Sequence, residues 1–131
     1  MKEFGFAKKD KLKQRAIITK LFSEGKAVTA YPLRLVYLPM QFEDEVNLKT
    51  AVSVSKRLHK KAVSRNRIKR LMREAFRVLK PKYFNKSKTS YAFMILYLSK
   101  DEPSFEKIEE TMNLLLLKFN KTTSNTEQDE N

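Results

Sequence analysis

The sequence predicts an α+β fold in which a small sheet packs with helices as a two-layer sandwich. Three observations predict it. Short β-prone segments at residues 33–38, 49–55 and 90–98 alternate with stretches of helical period. Their order is helix, strand, strand, helix, strand, helix, with room for an extra strand before Pro32. At 131 residues with 41% apolar content, the chain can build one modest core and not two ordinary ones.

Each element has its own signal. Asp10 can cap a helix over residues 10–24, whose apolar positions Ile17, Ile18, Leu21 and Phe22 recur at helical spacing, and Gly25 stands where a glycine would end it. Residues 33–38 follow Pro32 as a strand, and the polar run 41–45 separates them from a second strand, where Thr50, Val52 and Val54 alternate with small residues. Over residues 64–79, Ile68, Leu71, Met72, Ala75, Phe76 and Leu79 follow the i, i+3, i+4 rule, and Pro81 is expected to stop the helix. Residues 90–98 are apolar on both faces, as a central strand would be. Ser104 then caps a third helix that turns Phe105, Ile108, Met112, Leu115, Leu116 and Phe119 inward. Residues 1–120 read as a single domain and 121–131 as a disordered polar tail.

The charge narrows the function. With 28 Lys and Arg against 15 Asp and Glu, the formal charge is +13, which calls for a polyanionic partner. The charge is also segregated. Between positions 46 and 100 one acid, Glu74, faces sixteen Lys and Arg, whereas positions 101–131 carry eight acids and three bases. Interspersed charges of the same net value would largely cancel within a Debye length of about 8–10 Å. The absence of cysteine excludes disulfides, thiolate zinc sites and a cysteine nucleophile, and two glycines are too few for a glycine-rich phosphate loop. No apolar run approaches bilayer-spanning length and residues 1–10 lack the apolar stretch of a signal peptide, so no membrane partner and a cytoplasmic location are expected.

At 100° per residue, the second helix has Asn66, Arg70, Arg73 and Arg77 opposite its apolar stripe, flanked by Arg67 and Lys69. A solvated helix face normally mixes both signs. Holding three arginines together costs about 0.2–0.5 kcal/mol per like-charged pair, and arginine's planar donors suit phosphate oxygens. The face therefore reads as a nucleic-acid-binding surface.

Residues 61–77, KAVSRNRIKRLMREAFR, resemble the signature helix of the bacterial ribonuclease P protein family, whose core is the Arg-Asn-Arg triplet, here Arg65, Asn66 and Arg67. The preceding AVSVSKR, residues 51–57, resembles that family's strand before the signature, and the order of elements agrees over about residues 8–120. The resemblance implies a left-handed βαβ crossover, against the usual rule for such connections. It implies a protein subunit, one per catalytic RNA, that binds that RNA and the 5′ leader of precursor tRNA, with Mg²⁺ and the hydrolysis belonging to the RNA. The RNA-contacting residues would be Lys56, Arg57, Lys60, Lys61, Arg65, Asn66, Arg67, Lys69, Arg70, Arg73 and Arg77. A cleft between helix one and the sheet would hold the leader, lined by Ile18, Phe22, Tyr37, Lys56, Arg65 and Asn66, with Phe22 and Tyr37 as stacking surfaces. Two positions depart from the family pattern: Ile18 stands where an aromatic is frequent, and the loop 58–61 lacks a glycine.

The residues give no independent active site. Glu43, Asp44 and Glu45 are consecutive and read as a solvated turn, and His59, the single histidine, sits among Lys and Arg without a carboxylate to orient it. No catalytic residue and no protein-bound metal or other cofactor is assigned. The alternative reading is a ribosomal or general structured-RNA-binding protein. A major-groove DNA reader lacks the short partner helix ahead of the basic one.

Overall fold

Three helices and four strands follow one another as α1 (Arg15–Glu24), β1 (Lys26–Ala30), β2 (Leu33–Pro39), β3 (Leu48–Val54), α2 (Ala62–Phe84), β4 (Tyr91–Tyr97) and α3 (Phe105–Glu130). They are seen in a computed structural model that describes residues 15–40, 48–84 and 90–130, with side chains as far as Thr123. The Asp10 cap and the acidic turn at 43–45 lie outside the described residues. The optional strand before Pro32 exists as β1, and Gly25 does end α1, its N–H donating to the Leu21 carbonyl at 2.8 Å. Glycine is required there by close approach. A side chain would run into the carbonyl oxygens of Leu21 and Tyr37.

The sheet has the order β1-β2-β4-β3, with β3 parallel to β4 and the other neighbours antiparallel. Its register sorts side chains by parity. Leu33, Leu35 and Tyr37 pair with Tyr97, Ile95 and Phe93, and all of these join one core with Ile68, Met72, Ala75 and Phe76 of α2 and Ile108, Met112, Leu115, Leu116 and Phe119 of α3. That is the two-layer body of the fold. Val36, Ala92 and Met94 point the other way, where Leu21 of α1 buries against them, with Ile17, Ile18, Leu38, Ala51 and Leu96 packed around. Because helices cover both faces, β4 is apolar at every position, as its sequence suggested.

The main core is aromatic at one end. Phe119 packs edge-on to Tyr37, Phe93 and Tyr91, with centroids 4.9, 5.0 and 5.1 Å away.

Two helix ends differ from the sequence expectation. Pro81 does not stop α2, which continues to Phe84 with the proline inside it. An interior proline costs a helix roughly 3 kcal/mol. Tertiary contacts offset that cost: the Phe84 ring lies 5.6 Å from Phe93 and 5.8 Å from Phe119, and the Tyr83 hydroxyl donates to Asn113. Likewise α3, capped as expected by Ser104, whose Oγ accepts from the Lys107 N–H, runs on to Glu130. The segment read as a disordered polar tail is thus helical from residue 121 to residue 130. It contains no glycine or proline to end the helix.

Phe119→Ala is expected to lower the unfolding free energy by about 3–5 kcal/mol in urea denaturation, because it opens a cavity at the aromatic junction. Pro81→Ala is expected to raise it by about 2 kcal/mol, the roughly 3 kcal/mol of helix propensity less about 1 kcal/mol for the freer unfolded chain.

Candidate nucleic-acid interface

The basic loop between β3 and α2 is held from within. Ser55 Oγ accepts from the Arg57 N–H at 3.0 Å, and the His59 N–H donates to the Ser55 carbonyl. The His59 ring then turns inward. It is 5% exposed, lies 5.7 Å from the Tyr97 ring, and its Nε2 donates to the Ser99 carbonyl at 2.8 Å. A carbonyl only accepts, so Nε2 carries the hydrogen. Arg65 closes the loop from the other side, with Nη1 donating to the carbonyls of His59 and Lys60, each at 2.9 Å. Arg67 reaches the turn before α3, where Nη1 meets Glu102 Oε1 and Nη2 meets the Pro103 carbonyl, both at 2.9 Å.

These bonds divide the expected RNA-contacting residues into two groups. In the free chain Arg65 and Arg67 fasten α2 to its surroundings, while Lys56, Arg57, Lys60 and Lys61 stand exposed on the loop they shape. On the outer side of α2, Asn66 and Arg70 are exposed and Lys69 and Arg73 are half-buried. None of Lys69, Arg70 and Arg73 is ion-paired to another described residue. Arg77 is different. Its guanidinium holds Glu74, with Nη2 2.6 Å from Oε2, so the one acid of the basic region sits on the last arginine of the row. Hydrogen bonds from Arg77, helped by its charge, keep the Glu74 carboxyl below the usual carboxylate range.

The opposite face of the sheet, beside α1, is where the leader cleft is expected. Ile18 is half-buried in its wall, and Phe22, one residue beyond the buried Leu21, is 56% exposed, so it serves as surface and not as core. Tyr37 corrects the sequence reading. It is 4% exposed and faces α3 with Leu33 and Leu35, locked against Tyr91 and Phe119, and burial pushes its hydroxyl pKa up. It offers no face to the cleft. Alternation assigns the floor to the other parity: Arg34 pairs with Leu96 and Leu96 with Ser53, beside the row Val36, Met94 and Ala51. Arg34, Ser53 and Ala51 were missed in the sequence, although the charged Arg34 inside an apolar strand marks which parity meets solvent. Arg65 and Asn66 belong to α2, on the other layer. They therefore do not line the face of the sheet that α1 covers.

Among the described residues no group of three or more His, Asp or Glu could hold a metal, and no helix is long and apolar enough to cross a membrane.

A cationic helix face, a basic loop braced by its own hydrogen bonds and an apolar sheet face only partly covered by α1 define a nucleic-acid-binding protein of the α+β class. The Ribonuclease P family pattern matches residues 6–120, and the chain belongs to that family. It is 36% identical over 119 residues to the ribonuclease P protein component of Porphyromonas gingivalis, covering 88% of this chain and 87% of that protein. Among solved structures, the Staphylococcus aureus RNase P protein superposes with a TM-score of 0.66 at 24% identity, over 82% of this chain and 92% of that one. The RNase P protein of Thermotoga maritima gives 0.65 at 21% identity, over 81% and 94%. Both carry the same fold.

The division of arginines can be measured through counterion release. Arg70→Ala is expected to reduce the log-log salt slope of RNA binding by about 0.9 on duplex RNA, whereas Arg65→Gln is expected to lower thermal stability and leave the slope of the folded protein nearly unchanged. Glu74→Gln frees Arg77, so it is expected to tighten RNA binding at low salt and steepen the slope. The Glu74–Arg77 pair has a depressed carboxyl pKa, so its contribution is present above the unfolded carboxylate pKa and is lost as pH falls through the folded one. The stability difference between wild type and Glu74→Gln should therefore shrink on acidification.

Proposed function

We propose that this chain acts as the protein subunit of a ribonucleoprotein that removes the 5′ leader of precursor tRNA. The exposed side of α2 and the loop 55–61 would lie on the RNA subunit, and the cleft beside α1 would take the single-stranded leader. The observation that carries this reading is the placement of two unlike surfaces on opposite layers. Lys56, Arg57, Lys60, Lys61, Asn66, Lys69, Arg70 and Arg73 form an open cationic surface suited to a structured phosphate backbone. Phe22 and the floor around Arg34, Ser53 and Leu96 offer a stacking edge and one cation to unpaired bases.

The division of labour follows from the chemistry of these groups. Phosphodiester hydrolysis needs a metal-activated water or a general base. We assign both the Mg²⁺ and the hydrolysis to the RNA subunit. The protein's own groups neutralise phosphates and position the leader, in a complex of one protein with one RNA acting in the cytoplasm.

The test is cleavage of a precursor tRNA by the RNA subunit at low Mg²⁺, with and without the protein and with an Asn66, Arg70, Arg73 triple-alanine variant. Strong stimulation by the wild type and little by the variant is expected. Wild-type protein that binds the RNA without stimulating cleavage would move the chain to general structured-RNA binding.

A further inference from the structure

Where β1 turns into β2, a groove of about 390 Å³ opens between the turn and α3. Ala30, Leu114 and Leu117 form an apolar wall, Tyr31 stands at one rim, and Lys118 and Lys121 stand at the other. The wall is open to solvent: Leu114 is 51% exposed, Leu117 40% and Tyr31 69%. No acid lines it. Lys118 Nζ donates one hydrogen to the Thr29 carbonyl at 2.6 Å, which fixes the ammonium at the lip and leaves two hydrogens for another acceptor.

The groove shares one end of the sheet with the basic loop. Leu33 just after the turn and Val54 just before the loop both pair with Tyr97, and the Leu98 N–H donates to the Pro32 carbonyl. Two to three strand spacings of about 4.8 Å separate the turn from β3. A nucleic acid seated on the loop can therefore reach the groove along the same end of the molecule. Its composition fits such a strand: an exposed ring on which any base can stack, an apolar wall beside it, and two lysines three residues apart on one edge of α3. A second copy of this chain would set lysine against lysine between molecules of charge +13.

We propose that this groove binds an unpaired nucleotide segment of the RNA subunit, with a base on Tyr31 and phosphates at Lys118 and Lys121. The inference rests on the reading of the chain as the partner of that RNA.

The natural chain has no cysteine, so a single cysteine can carry a photo-crosslinker. The reconstituted complex of protein, RNA subunit and precursor tRNA would be probed from Thr29→Cys beside the groove and, separately, from Val63→Cys, 80% exposed on α2. The Thr29 probe is expected to mark unpaired nucleotides of the RNA subunit, about ten-fold less when Tyr31→Ala is added and undiminished with Tyr31→Phe. Marking of the precursor, or a yield indifferent to Tyr31→Ala, would overturn the proposal. A silent Thr29 probe beside an active Val63 probe would overturn the groove alone. Silence at both positions would instead remove the RNA-subunit reading beneath it.

Discussion

Two parallel neighbours in a sheet cannot be joined by a tight turn. Once β3 pairs with β4 in the same direction, the chain leaving Val54 must return along a face of the sheet before it enters Tyr91. That return is α2, and its apolar stripe closes the main core. The loop leading into it must sit at the end of the sheet, where backbone is exposed and no strand neighbour supplies hydrogen bonds. Here the loop gets them from side chains instead. His59 reaches a carbonyl 40 residues away, and Arg65 gathers two carbonyls of the loop itself. The lysines and arginine between these anchors, Lys56, Arg57, Lys60 and Lys61, stand exposed to solvent.

This gives the Arg-Asn-Arg triplet two physical roles within three residues. Arg65 and Arg67 are spent on protein acceptors in the free chain, and Asn66 between them is exposed. A pre-formed loop would lose less conformational entropy on meeting RNA, so its cations would contribute more of their Coulomb energy to binding. The unpaired face of α2 stores some like-charge repulsion that a phosphate backbone would relieve.

The parts that were legible in the sequence are those written in local period. The core stripes of α2 and α3 and the doubly buried β4 were read correctly, because hydropathy repeats directly report which side is covered. What failed depended on distant contacts. Pro81 is a breaker by local rule, and only the packing of Tyr83 and Phe84 on α3 and β4 carries the helix through it. Tyr37 was placed on the wrong face because β2 is apolar on both parities, so hydropathy alone could not choose. Arg34 held the missing information. His59 looked like one more polar residue in a basic loop, and nothing near it in sequence points to Ser99. The acceptors of Arg65 and Arg67 were equally illegible, because charge counting cannot see a carbonyl or carboxylate contributed by another turn of the chain.

In the proposed division, α1 and the sheet face it covers would form a surface for unpaired RNA, separate from the cationic side of α2. Its most direct test is an amide chemical-shift map of the isotopically labelled protein titrated with a short single-stranded RNA. The largest shifts are expected at Phe22, Arg34, Ala51, Ser53 and Leu96, with the buried Tyr37 and Phe119 little affected. Shifts concentrated on α2 with a silent cleft would contradict it, since both RNAs would then compete for one surface.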